Sequence, residues 1–384
     1  MDPVEARDLY PITRQYIFMN HAGVSPMSER ARAAVEAMAG QLTAKPLTSP
    51  LAMEEADRLR ESLARLFTCG ADHIALTRST AHGISLLAAG LDWQAGDNVV
   101  GARGEYPANV YPWVALGRRG VEFRMADNTG GRVTPESVLE LVDARTRVVA
   151  LSHVEFWNGY RVDLETIGEE CRKRGVILAV DAIQSAGALR LDLSRLPVDY
   201  LAAGSYKWLL GPQGIGFAWC HPDLLPRITP ALVGTASVQD RLNYFSYPTD
   251  RVDFETTARR LEEGNPSLLD MAAFAASVDV FLEVGPEVVE RRVLDLALRL
   301  AEGLDRQGYE VIGPWPRDAG ERSGIVSFRK PGSPPQEILR DLQASRIVGR
   351  IHADFVRLSP HFYNTEDEVD RVIDVLSPQA ALQP

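Results

Sequence analysis

Short apolar runs recur through the first part of the chain, and between them apolar residues return at helical spacing. The runs are Ile74–Thr77, Asn98–Val100, Val121–Arg124, Val148–Ser152, Val176–Asp181, Tyr200–Ala203 and Ile215–Trp219. Apart from Val121–Arg124, which alternates with charges, these runs are largely apolar and predict strands buried on both faces, as in a parallel sheet. The segments between them open like helices: Thr134-Pro135-Glu136 and Asp163-Leu164-Glu165 each set a capping side chain before a proline or an acid. His82 to Ala89 continues the helical pattern after Ile74–Thr77. This alternation predicts an α/β layer structure with a mostly parallel sheet between helices. Beyond Glu263-Gly264-Asn265-Pro266 the pattern changes. Helical periodicity starts at Leu268, Val288–Arg306 is amphipathic, Gly324–Phe328 reads as a strand, and Thr365 caps a helix over Glu366–Leu376.

Composition agrees with such a fold. The 384 residues are 45% hydrophobic and 24% charged, enough chain for two domains with cores of their own. A net charge of -11 argues against nucleic acid as a partner. Met1–Arg7 lacks the apolar core of a signal peptide, and no apolar stretch reaches membrane-spanning length, so the cytoplasm is expected. Three scattered cysteines, Cys69, Cys171 and Cys220, fit a reducing compartment and offer no metal-ligand spacing.

Candidate chemistry centres on Lys207, framed by glycine and apolar residues in Gly204-Ser205-Tyr206-Lys207-Trp208-Leu209-Leu210-Gly211. Burial disfavours an ammonium, so such an amine is suited to covalent chemistry with an aldehyde. Alone, it reads first as a strand-end lysine with its stem covered and its charge in water. The partners upstream tip the balance. Asp181 ends the apolar run Val176–Val180, where a carboxylate faces the ligand crevice of an open α/β sheet and can pair with a protonated ring nitrogen. Gln184 follows three residues later with amide hydrogens for a ring oxygen. Arg78-Ser79-Thr80-Ala81-His82 lies at a strand-to-helix turn, whose free N–H groups and hydroxyls suit a phosphate, and Ser205 offers another hydroxyl.

These motifs, with Tyr16–Gly23, Glu105–Asn109, Ser152-His153-Val154 and Val356–Thr365, resemble the aminotransferase class V family of fold-type I pyridoxal phosphate (PLP) enzymes. That group includes cysteine desulfurases, isopenicillin N epimerase-like proteins and kynureninase, and the similarity runs nearly end to end. The resemblance implies PLP as cofactor, with Lys207 as the Schiff-base lysine, Asp181 on the pyridine nitrogen and Gln184 on the phenolate. It places Thr80, Ala81 and Ser205 around the phosphate and Tyr106 on the ring. Arg357 would clamp the substrate carboxylate, with Asn20, His21 and His352 as further substrate contacts. It also implies a large PLP-binding domain over 21–264, a smaller α+β domain over 265–384, and a 1–20 segment packed on the latter. Relatives share their sites across a homodimer through a Gly-Thr pair, and Gly264-Asn265 stands at that place.

Departures from the family pattern bear on the reaction. Desulfurases carry a nucleophilic cysteine before the carboxylate-binding arginine, and Ile347–Asp354 has none. They also place a histidine, not a tyrosine, over the ring, and a phenol shuttles protons poorly at neutral pH. The expectation is therefore a PLP-dependent transferase or lyase acting on an amino acid through Cα deprotonation, by transamination or carbon-sulfur cleavage. An amino-acid epimerase and a non-catalytic PLP-binding protein are the alternatives.

Overall fold

The computed structural model describes residues 1–45, 49–243, 245–264 and 266–377. In chain order its strands are β1 (Ile17–Phe18), β2 (Ile74–Thr77), β3 (Asn98–Ala102), β4 (Glu122–Ala126), β5 (Thr146–Ser152), β6 (Ile177–Asp181), β7 (Tyr200–Gly204), β8 (Gly216–Cys220), β9 (Glu310–Val311), β10 (Val326–Arg329), β11 (Ile347–Val348), β12 (Arg350–His352) and β13 (Phe355–Leu358). Seven of them form one sheet in the order β2-β8-β7-β6-β5-β3-β4. The apolar runs became its strands because each has an apolar residue on both faces. Leu178 and Val180 of β6 enter one core cluster, while Ile177 and Ala179 enter the other.

The sheet is parallel except at β8, which runs antiparallel to both β7 and β2. The direction follows from the connection. Residues 205–215 are too few for the crossover that a parallel return needs, so the chain turns straight back. β2 is thereby parallel to β7, and the carboxyl ends of β2, β3, β5, β6 and β7 share one edge.

The helix Leu268–Val284 is apolar around most of its circumference and packs on the helices Glu29–Ala44 and Ser49–Phe67. A second sheet, β12-β13-β10-β9, is antiparallel and shares a separate core with the helices Pro286–Arg306, Pro335–Ala344 and Glu366–Val375. Near the amino terminus β1 adds in parallel to β11. Among the described residues no helix is long and apolar enough to cross a membrane.

Candidate active site

Lys207 lies just past the carboxyl end of β7 and is only 7% exposed. Its carbonyl accepts the Leu210 N–H at 3.0 Å and the Ser25 hydroxyl. Leu210 sits at φ +55, and the Ser277 hydroxyl pins its carbonyl at 3.0 Å. A leucine in the left-handed region costs about 1–3 kcal/mol and persists only where its surroundings fix it. Gly187, at φ +94, lets the loop after β6 touch this turn, since a Cβ there would stand 2.4 Å from the Trp208 carbonyl oxygen. Burial pushes the Lys207 amine down to about 8; the Asp181 charge opposes the shift and Arg357 adds to it. Nζ stands 5.5 Å from the Tyr106 ring centroid and 5.9 Å from that of Tyr206.

Asp181 ends β6 between Ser152 of β5 and Ala202 of β7. Oδ1 accepts the Ile183 N–H at 2.9 Å, whereas Oδ2 is buried without a partner. Burial raises the carboxyl to about 6, tempered by the Ile183 N–H and by Lys207. An orphaned carboxylate oxygen facing a depressed amine fits a cofactor that brings its own protonated nitrogen. Gln184 is braced on both sides: Oε1 accepts Trp208 Nε1–H at 2.8 Å and Nε2 donates to the Ala22 carbonyl at 3.1 Å, which leaves one amide hydrogen.

The helix Thr80–Gly90 begins at the same sheet edge. Ser79 caps it by accepting the His82 N–H at 3.1 Å, and the Thr80 hydroxyl accepts the Gly204 N–H at 2.9 Å, which ties the helix start to β7. The Thr80 and Ala81 amides have no acceptor within the helix and remain for an anion. Ser205 differs from the sequence expectation. Its hydroxyl faces the carbonyls of Pro212 and Ile215, the latter at 3.0 Å, and braces the β7–β8 turn. Asn265 lies outside the described residues.

At the other end stands Arg357 on β13, 2% exposed. Nη1 donates to the Phe156 carbonyl at 2.6 Å, and Nε is buried without a partner. Burial, then the charge of Arg350, lowers this guanidinium to about 10. His352 also carries a partnerless Nε2, and burial together with Arg357, Arg350 and Lys207 lowers it to about 4. Tyr106, 45% exposed, meets Phe156 edge-on at 5.2 Å.

Two expected substrate contacts are placed otherwise. The His21 ring is spent on the protein: Nδ1–H donates to the Ser359 carbonyl at 2.7 Å, and Nε2 accepts the Tyr363 hydroxyl at 2.6 Å. Buried beside His361, it is held neutral and joins the β1 region to the segment after β13. The Asn20 amide folds over Gly23, its Oδ1 buried without a donor. Sequence reasoning assigned no role to two acids beneath the site. Glu105 accepts the Ser152 N–H and hydroxyl, each at 2.5 Å, and burial lifts it to about 7. Glu155 is fully buried with both oxygens unpartnered, and burial plus the charges of Glu105 and Asp181 raise it far above the usual carboxylate range. The signal was present in Ser152-His153-Val154-Glu155-Phe156-Trp157, an acid among apolar residues just past a buried strand.

Comparisons with known proteins show the family and the fold. The model of the family described as aminotransferase class-V matches residues 48–372. A probable cysteine desulfurase of Pyrococcus abyssi is 27% identical, over 97% of this chain and 96% of its own. The isopenicillin N epimerase of Streptomyces clavuligerus is 30% identical over 97% of each. Among solved structures, the complex of the cystine C-S lyase C-DES with its reaction product, cysteine persulfide, superposes with a TM-score of 0.87 at 25% identity, covering 96% of this chain and 99% of that one.

Proposed function

The chain belongs to the aminotransferase class V family, and from that premise we propose a PLP-dependent transferase or lyase that removes the Cα proton of an amino acid and goes on to transamination or carbon-sulfur cleavage, without a catalytic cysteine. One observation carries the reading: a buried amine with a depressed pKa lies within reach of the charge of a carboxylate whose Oδ2 is buried and unpartnered. The cofactor, when bound, supplies an electron sink for charge developing at the substrate Cα. Lys207 would hold it, and with a pKa near 8 its neutral form is a base matched to neutral or mildly alkaline pH. Asp181 would keep the ring nitrogen protonated. The Thr80 and Ala81 amides would take the phosphate, the remaining Gln184 hydrogen the ring oxygen, and Tyr106 the ring face. Arg357 would turn two parallel N–H groups to the substrate carboxylate.

The cysteines support chemistry without a thiolate. None lies in Ile347–Asp354, and burial raises the thiols of Cys69 and Cys171 to about 12 and that of Cys220 further. A persulfide acceptor needs the opposite environment. The likeness to a cystine C-S lyase favours the cleavage branch. The 30% identity to isopenicillin N epimerase favours a second reading, return of the proton to the opposite face of Cα. A division of the chain near Gly264, a cytoplasmic setting and a homodimer belong to the same proposal. The dimer draws support from the exposed apolar side chains of Leu232, Val233, Leu242, Phe245, Tyr247 and Val252, clustered in one stretch of chain.

The test is direct. Reconstituted protein is reduced with borohydride and peptide-mapped, then given a panel of amino acids while keto acid, ammonia, sulfide and D-isomer are assayed. The reading expects an adduct on Lys207 and one dominant product. An absent adduct overturns it, and persulfide on any of the three cysteines restores the desulfurase alternative.

A further inference from the structure

A face rich in cationic and imidazole side chains borders Arg357. The β12–β13 pairing sets Arg350 opposite Arg357 and His352 opposite Phe355. Side chains alternate along a strand, so these four residues share one face of the hairpin. That face is turned toward the Lys207 site. Arg357 reaches the Phe156 carbonyl at 2.6 Å, the His352 ring centroid lies 6.1 Å from that of Phe156, and Phe156 abuts Tyr106.

Like charges directly opposed across two strands cost a sheet stability. The acids of this sheet do not offset them, because Glu310 and Asp354 both pair with Arg329. Arg357 Nε and His352 Nε2 are buried without partners, and Arg350 is exposed on the same face. In a chain of net charge -11, solubility does not account for two guanidiniums and an imidazole set together with no carboxylate paired to them among the described residues. The substrate α-carboxylate accounts for Arg357. Arg350 and His352 remain.

We propose that the substrate is an amino acid bearing a second, side-chain carboxylate, bound by Arg350 with His352 beside it. The proposal rests on the Lys207 reading of the site and specifies its substrate class. The planar fork of Arg350 takes both oxygens of a carboxylate. His352, kept uncharged by burial and then by its cationic neighbours, adds a hydrogen bond without adding charge. Phe156 and Phe355 flank the imidazole and give the apolar stem between the two carboxylates a wall.

Holoenzyme is titrated with aspartate against asparagine and glutamate against glutamine, with affinity read from the cofactor absorption band and from calorimetry. The acid of at least one pair should bind about tenfold tighter or more, the worth of a charge-assisted hydrogen bond pair. Its advantage should shrink as salt rises. Arg350→Gln should abolish the preference and Arg350→Lys should retain part of it; the exposed position keeps both variants folded. Equal affinities within both pairs, or an Arg350→Gln variant that weakens acid and amide alike, would overturn the proposal and leave the Lys207 reading intact. A cofactor band that no amino acid perturbs would overturn that reading, and this proposal with it.

Discussion

Replacing Asp181 by asparagine should stabilise the cofactor-free protein, although the same change should cripple the loaded one. The sign comes from the pKa. In the folded chain the carboxyl is raised from 3.8 to about 6, so the native state holds its proton more tightly than the unfolded state does. Ionising Asp181 therefore costs folding free energy: nothing well below pH 3.8, and the full penalty above pH 6. A shift of roughly two units corresponds to about 3 kcal/mol. The carboxyl is wholly buried, so solvent screening does not dilute that figure. Asparagine keeps the shape and the Ile183 contact and carries no charge. Its advantage should be about 1.5 kcal/mol at pH 5 and about 3 kcal/mol at pH 7, levelling off above. Urea unfolding of the cofactor-free forms across that range reads it directly. Loss of Lys207's counter-charge does not cancel the gain, because the attraction of Lys207 is already contained in the raised value of about 6. A variant less stable than the parent at pH 7, or a difference that does not grow with pH, would refute the claim that Oδ2 lacks a partner. With PLP bound the order should reverse, since the carboxylate then pairs with the ring nitrogen.

Arg357→Lys keeps the positive charge but removes the planar fork, so KM for the amino acid should rise about 10- to 100-fold with a smaller change in kcat, measurable by steady-state kinetics. Conversion of Cys69, Cys171 and Cys220 together to alanine should cost stability, on the order of 1 kcal/mol for each site, and leave turnover within about threefold; loss of turnover in a folded triple variant would contradict chemistry without a thiolate.

Much of the architecture was legible because burial on both faces writes itself into unbroken apolar runs. Ile177–Val180 and Val148–Leu151 admit few other structures. The reversed direction of β8 was not legible from its own residues, since strand direction is a property of the connecting segment. The site was legible where residues close in sequence cooperate, as Asp181 and Gln184 do, or where a motif frames one side chain, as around Lys207. It was not legible where a partner comes from far along the chain. His21 has the right residue type for a substrate contact, yet Ser359 and Tyr363 occupy both its nitrogens. The inward turn of the Ser205 hydroxyl was not legible for a local reason: a turn of eleven residues leaves carbonyls inside itself, and the hydroxyl has its one proton to give to Pro212 or Ile215. Arg350 looked like any exposed arginine until pairing set it across from Arg357.

The distribution of charge explains why the unpartnered groups persist. Asp181 lies at the inner end of the site with Glu105 and the protonated Glu155 beside it, and Arg357 and Arg350 lie at the outer end with the neutral His352 of β12 beside Phe156. Lys207 lies between and feels both, since Asp181 raises its pKa and Arg357 lowers it. Pairing acids with arginines across the site would have relieved both ends and removed the polarity. Held apart, Asp181 and the two arginines set up a field that would turn a cationic ring nitrogen inward and a carboxylate outward, while the Thr80–Gly90 helix start would offer its amides to a phosphate. The cost falls on the empty protein, and binding cofactor and substrate would offset it, so the residues that destabilise the unloaded chain are the ones proposed to orient what it binds.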